Sequence, residues 1–303
     1  MSAGDVSLLT ETFATSLRDR LADHDAAPRE GEAVLYWLGQ AGFVIESGGY
    51  RMLIDPYLSD SLAEKYKGTK FPHTRMMAAP VLPGELDRLD LVLCTHRHTD
   101  HMDPGTLQPL ARRFPNLRFV VPAAVTEEAI TRCGVGIERL IPVNAGERIE
   151  VLPGCFVSPV PSAHESLDRD ADGRYPWLGY VIDAGPIRLY HSGDCIPYAG
   201  LAETLARFEP HVALLPVNGR DAERSVNGVP GNFTLDEGIA LAKQSGARAL
   251  IAHHCGLFDF NTLPADVIDA RIRPEASRDF TMFRAQTGCA WRCGMLQSRH
   301  AGS

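Results

Sequence analysis

Leu89-Asp90-Leu91-Val92-Leu93-Cys94-Thr95-His96-Arg97-His98-Thr99-Asp100-His101 is an apolar run that ends in three imidazoles and a carboxylate. The apolar part reads as a buried strand, and the H-x-H-x-D-H part begins where that strand stops. Residues two apart on an extended chain share a face, so His96 and His98 point the same way. The chain then turns, and Asp100 and His101 can aim at a second centre beside the first. Neutral nitrogen donors with an anionic oxygen are what a borderline divalent metal requires.

Further donors follow other strand-like runs. His164 lies in Pro161-Ser162-Ala163-His164-Glu165, Asp194 in Tyr190-His191-Ser192-Gly193-Asp194, and His253-His254 follows Ala249–Ala252. Asp55 ends the strand-like run Met52-Leu53-Ile54. Glu165 either supports its neighbour His164 or faces water.

The remaining grammar is that of alternating strands and helices. Val6, Leu9, Phe13, Leu17 and Leu21 recur at spacings of three and four, which predicts an amphipathic helix over about 5–22. Gly48-Gly49 predicts a hairpin turn. Residues 57–84 have little periodicity and read as a long loop, of the sort more often functional than idle. Asp103-Pro104 supplies a cap and a first-turn proline for the helix that follows. A short polar tail occupies 296–303. No linker or repeat breaks the middle, so a single domain over 1–303 is the economical expectation.

Bulk properties exclude some classes. At 22% charged and 45% hydrophobic the chain is of ordinary globular composition, and its net charge of −8 gives no footprint for nucleic acid or an anionic membrane. The seven cysteines are scattered and odd in number, which argues against a disulfide framework; Cys289 and Cys293 read as strand residues. Without a signal-like segment or a long apolar span, a cytoplasmic location is the default expectation.

Taken in order, H-x-H-x-D-H, a lone His, Gly-Asp and a strand-terminal His resemble the motifs of the metallo-β-lactamase superfamily across most of the chain. The resemblance implies an α/β fold of four layers, the αβ/βα metallo-β-lactamase sandwich, with the site along one sheet edge. It implies two divalent metals, zinc or manganese first and iron third. His96, His98 and His164 would hold one, Asp100, His101 and His254 the other, and Asp194 would bridge them. His254 is chosen over His253 because His254-Cys255-Gly256 fits the family's last motif. Asp55, His191 and His253 would support the ligands from behind.

The nearer resemblance is to the L-ascorbate-6-phosphate lactonase-like branch, through Tyr36-Trp37-Leu38-Gly39, Ile54-Asp55-Pro56, Tyr190–Asp194, Pro216–Asp221 and Gly231-Asn232-Phe233. It implies a lactonase acting on a sugar or sugar-phosphate lactone, with Asp100 and Asp194 as catalytic carboxylates orienting a hydroxide shared by the metals. That branch does not clearly keep a histidine where His164 stands. The fuller ligand set here points to two metals and weakens transfer of that substrate. A phosphodiesterase or phospholipase-D-like hydrolase is the alternative. Diiron oxidoreductases of this fold place an acidic residue where His98 stands, and a non-catalytic relative would have lost ligands.

Two features address the substrate, expected to be a small polar or anionic molecule. Lys65, Lys67, Lys70 and Arg75 crowd one loop, and Arg220 lies beside Asn218 after a strand; either group can clamp an anion. Helix 5–22 would pack on the sandwich or on another subunit, leaving a homo-oligomer open.

Overall fold

The computed structural model describes residues 6–295. In chain order its strands are β1 (Val6–Thr12), β2 (Glu32–Gly39), β3 (Gly42–Ser47), β4 (Tyr50–Ile54), β5 (Leu91–Leu93), β6 (Arg118–Pro122), β7 (Leu140–Val143) and β8 (Ile149–Leu152). They continue with β9 (Cys155–Pro161), β10 (Leu178–Ala184), β11 (Ile187–His191), β12 (Val212–Pro216), β13 (Ala249–His253), β14 (Thr281–Arg284) and β15 (Cys289–Met295). The helices are α1 (Leu17–Ala22), α2 (Ser61–Lys65), α3 (Pro104–Arg113), α4 (Thr126–Cys133), α5 (Leu201–Ala206), α6 (Ala222–Val226), α7 (Leu235–Gln244) and α8 (Ala265–Glu275).

The strands form two mixed sheets, ordered β1-β15-β2-β3-β4-β5-β6-β7 and β14-β13-β12-β11-β10-β9-β8. Side chains alternate across each strand, so each sheet feeds two cores. Leu35, Ile45, Leu93, Val157, Tyr180, Leu214, Ile251 and Trp291 meet between the sheets. Val34, Val44, Val92 and Phe119 face α1 and α3 on one outer side, and Leu215, Leu250 and Met282 face α5, α7 and α8 on the other. This is the expected four-layer αβ/βα sandwich. Strands buried on both faces read as continuous apolar runs, which is why Leu91-Val92-Leu93 shows no alternation.

The geometry that serves the site is the pair of parallel ladders, β4-β5-β6-β7 and β11-β12-β13-β14. Parallel strands end on the same side, so Asp55 after β4, His96 after β5, Asp194 after β11 and His254 after β13 emerge along one edge. The β2–β3 hairpin adds Gly39-Gln40-Ala41-Gly42 at that edge, with Gln40 at φ 50°. At the far end of β3, Gly48 and Gly49 both take positive φ, 61° and 84°, as a two-residue hairpin turn demands.

One expectation needs correction. The stretch 6–22 is not one helix: Val6–Thr12 is a strand paired antiparallel with β15 from Val6↔Met295 to Thr12↔Cys289. Val6 and Leu8 turn to the inter-sheet core while Leu9 is exposed, a period of two that the wider spacing hid. The helix starts only at Leu17, where the Ser16 side chain accepts the Asp19 N–H. The 57–84 stretch holds α2 and runs into a single 3₁₀ turn, Pro83–Glu85. The proposed tail at 296–303 lies outside the described residues. No helix among those described is long and apolar enough to cross a membrane.

Candidate metal centre

The H-x-H-x-D-H run leaves β5 in a tight turn, with the His101 and Met102 N–H groups both donating to His98 O. Gly105 N–H and the hydroxyls of Ser59, Ser61 and Thr106 donate to the Asp103 carboxylate, fastening the 57–65 segment to this turn. The segments bearing His164 and Asp194 are joined in turn: Ser162 Oγ donates to Ser192 O and Ile196 N–H to Ala163 O. Gly193 sits between them at φ 60°, and a Cβ there would come 2.8 Å from Thr95. Only glycine fits.

Three groups of side chains bring their ligand atoms within 4.8 Å of one another. They are His96, His98 and His164; His96, His101 and Asp194; and Asp100, His101 and His254. Nε2 of His164 lies 3.0 Å from Nδ1 of His98. Asp194 Oδ1 lies 3.3 Å from His101 Nε2 and 3.2 Å from His254 Nε2. Asp194 thus shares neighbours with both ends of the cluster.

Behind these atoms is a supporting layer. Asp55 Oδ1 accepts the Thr95 N–H (2.8 Å), and Oδ2 accepts Thr95 Oγ1–H (2.6 Å) and His101 Nδ1–H (2.7 Å). Since Nδ1 of His101 donates, its Nε2 is the nitrogen turned to the cluster. His96 Nδ1 lies 3.0 Å from Thr95 Oγ1, to which it donates, leaving its Nε2 likewise free. His191 donates through Nε2 to Ala41 O (2.8 Å) and accepts the Gly193 N–H at Nδ1, so it shapes the Asp194 turn. His253 stacks on His191, with ring centroids 5.0 Å apart, and belongs to none of the three groups. His254 lies one residue past the end of β13 at φ 61°, where the chain leaves the strand, and it is the member of the pair that joins the cluster.

Gln40 is a residue that sequence reasoning missed. Its Nε2 donates to Asp100 Oδ2 (3.1 Å), and its carbonyl accepts both the Trp37 indole N–H and the His254 N–H. Its complete burial and its positive φ mark it out only once the chain is folded.

The donor set fits a divalent metal on its own chemistry. Nε2 of His96, His101 and His254, Nδ1 of His164 and Oδ1 of Asp194 are buried with no hydrogen-bond partner among the described residues. Buried polar atoms are normally paired, and here the Nε2 atoms of His101 and His254 converge on Asp194 Oδ1. Burial, aided by neighbouring imidazoles, pushes His96 well below the ordinary histidine pKa and His164 down to about 4, so both stay neutral. Burial opposes charge on His101 too, but Asp194, Asp55 and Asp100 outweigh it and hold its pKa well above the usual range. Burial works against ionised Asp194, and His254 and His101 overcome it, leaving its carboxyl well below normal. Neutral His96 and His164 and ionised Asp194 are thus in the forms that bind metal, whereas His101 has to give up a proton to do so.

The cluster opens into a cavity of about 250 Å³ whose walls include Lys65, Tyr66, His73, Arg97, Glu128, Arg132, Val229 and Asn261. Of the residues expected to meet substrate, only Lys65 is among its lining residues. Lys70 pairs with Glu223, and Arg75 donates to the carbonyls of Tyr57, Ser59 and Met77. Asn218 is buried in an amide chain with Asn232 and Asn261, and Asn232 Oδ1 accepts the Cys195 N–H beside Asp194. Lys67 and Glu165 are exposed.

Arg220 is held by both carboxylate oxygens of Glu237, which also completes the cap of α7 with Thr234. The Arg220 hydrogen bond is the main cause of a Glu237 pKa near 2. A depressed carboxyl stabilises the fold above its unfolded value of about 4.5 and loses that effect as pH falls through about 2. The pair is partly exposed and screened by solvent. Glu237→Gln is therefore expected to cost only about 1 kcal/mol at neutral pH. The gap from the parent should narrow below pH 4.5, as urea unfolding at several pH values would report.

Comparison with known proteins places this architecture. The model of the beta-lactamase superfamily domain matches residues 50–255, more than half of the chain. A UPF0173 metal-dependent hydrolase of Methanopyrus kandleri is 32% identical over 188 residues, 61% of this chain and 71% of that protein. One from Aeropyrum pernix is 29% identical over 239 residues, 75% of this chain and 84% of that protein. Among solved structures, the isothiocyanate hydrolase from Delia radicum gut bacteria superposes with a TM-score of 0.66 at 18% identity, covering 85% of this chain and 97% of that one. A likeness that remote carries the fold alone. The matched family model and the Methanopyrus relative, together with a histidine–aspartate cluster at the sheet edge, show that the chain belongs to the beta-lactamase superfamily, in the family of the UPF0173 metal-dependent hydrolases.

Proposed function

We propose that the protein is a hydrolase with two metal sites that opens a small lactone, most simply one derived from a sugar. The observation that carries hydrolysis is the convergence of unpaired imidazole nitrogens and the Asp194 carboxylate at the floor of a polar cavity. His96, His98 and His164 would hold one divalent ion and Asp100, His101 and His254 the other, with Asp194 between them. Such ions, when bound, polarise an acyl oxygen and lower the pKa of water toward about 7.

The chain's own groups supply the rest. Asp100 lines the cavity, and its Oδ2 is held by Gln40. Burial works against its ionisation, but His101, with help from His254 and His98, keeps its pKa below normal. It is placed to take the proton of an attacking water, and that proton then goes to the ring oxygen as the acyl C–O bond breaks. The cavity's size favours a single small ring, since pockets for drug-sized ligands run from roughly 300 to 1,000 Å³. The basic rim of Lys65, Arg97 and Arg132 favours a second reading, a phosphodiester.

The test is one panel of δ-gluconolactone, its 6-phosphate and bis(p-nitrophenyl) phosphate, run beside Asp100→Asn. The expected result is lactone turnover that drops by roughly a hundredfold or more in the variant. Phosphodiester cleavage without lactone turnover would replace the lactone reading with the second one.

A further inference from the structure

His73 is a cavity-lining residue that the metal cluster does not use. It sits at φ 52°, a backbone conformation costly for a side chain other than glycine and sustained only where the surroundings enforce it. The ring is boxed in: Tyr66 stacks on it at 4.4 Å, and Phe258 and Phe260 meet it edge-on at 5.1 and 4.7 Å. Nδ1 lies 2.6 Å from the Phe71 carbonyl, which can only accept, so Nδ1 carries the proton. In the neutral ring Nε2 is then a bare acceptor, and it has no partner among the described residues. Burial lowers the ring's pKa and favours that neutral form.

The carboxylate and amide acceptors around the cavity are engaged. Glu128 holds Arg132 and Arg97, Asn261 Oδ1 accepts from Asn218 and Arg224, and Asp100 and Asp194 belong to the cluster. A lactone's carbonyl and ring oxygens are acceptors, so they have no use for His73. A ring hydroxyl is a donor and does.

We propose that His73 is a specificity-determining residue of this site, its Nε2 accepting a hydrogen bond from a substrate hydroxyl remote from the scissile carbonyl. The substrate class is then a hydroxylated lactone rather than a plain one, which rests on the lactone reading above. The experiment compares δ-gluconolactone with δ-valerolactone, which lacks hydroxyls, in the metal-loaded parent, His73→Phe and His73→Gln. Phenylalanine keeps the aromatic box and removes Nε2, whereas glutamine restores an acceptor there.

His73→Phe is expected to raise KM for gluconolactone about tenfold, the worth of one hydrogen bond, with kcat and valerolactone turnover unchanged. His73→Gln should recover most of the loss. Equal loss on both lactones, or no loss on either, would overturn the assignment. Should the parent hydrolyse neither lactone, the lactone reading fails, and His73 is judged by binding. Gluconate added to the metal-loaded protein should shift the His73 Nε2 nitrogen resonance, and valerate, which has no hydroxyl, should not. An unmoved resonance with gluconate overturns the proposal whatever the turnover.

Discussion

Asp194→Asn is expected to lower both metal affinity and hydrolysis by more than about a hundredfold. That figure is the upper end of what removing a mere orienting partner costs, and a ligand shared by two sites, as proposed for Asp194, should exceed it. Asp194 Oδ1 lies 3.2–3.3 Å from two imidazole nitrogens and has no hydrogen-bond donor of its own. An amide of the same shape removes the negative charge that offsets cations there. Its NH₂, turned toward Nε2 of His101 or His254, would present a donor where an acceptor is needed. The fold should persist, because the Asp194 turn is held by neighbours: His191 takes the Gly193 N–H and Asn232 takes the Cys195 N–H. Chelator competition with zinc, beside thermal unfolding of the metal-free protein, would separate the two effects. Unchanged affinity would remove Asp194 from the centre.

Asp55→Asn should be nearly as damaging without touching a metal. As a carboxylate, Asp55 accepts three hydrogen bonds at zero exposure, one of them from His101 Nδ1–H. In the amide, one of the two positions becomes a donor. If that NH₂ faces His101, the imidazole must accept at Nδ1 and carry its proton on Nε2, the nitrogen the cluster needs bare. Metal affinity is expected to fall about 10–100-fold, while the shape of the site is kept. Nitrogen resonances of the His101 ring would report the tautomer directly. Affinity lost with an unchanged tautomer would contradict this explanation.

Much of this was legible in the sequence because it is local. Six positions from His96 to His101 present a metal motif on one strand end, and the residues before His164, Asp194 and His254 each read as a strand. What could not be read was long-range pairing. Nothing near Gln40 announces a bond to Asp100 sixty positions on, and the Val6–Thr12 strand exists because Cys289–Met295 lies beside it. Arg220 and the basic loop looked like anion clamps for the same reason. A cation's role depends on its partner, and Glu237, Glu223 and a set of backbone carbonyls had already engaged Arg220, Lys70 and Arg75. His73 went unassigned because a lone histidine in a loop carries no pattern. Its tautomer, its strained backbone and its place on the cavity wall are properties of the folded chain.

On the proposed reading, the cluster of histidines and aspartates binds two divalent ions. The most direct measurement is calorimetric titration of the chelator-stripped protein with zinc. Two ions bound per chain, with the total reduced in both His98→Ala and His254→Ala, is the result this account predicts. Binding of a single ion, or none, would contradict it.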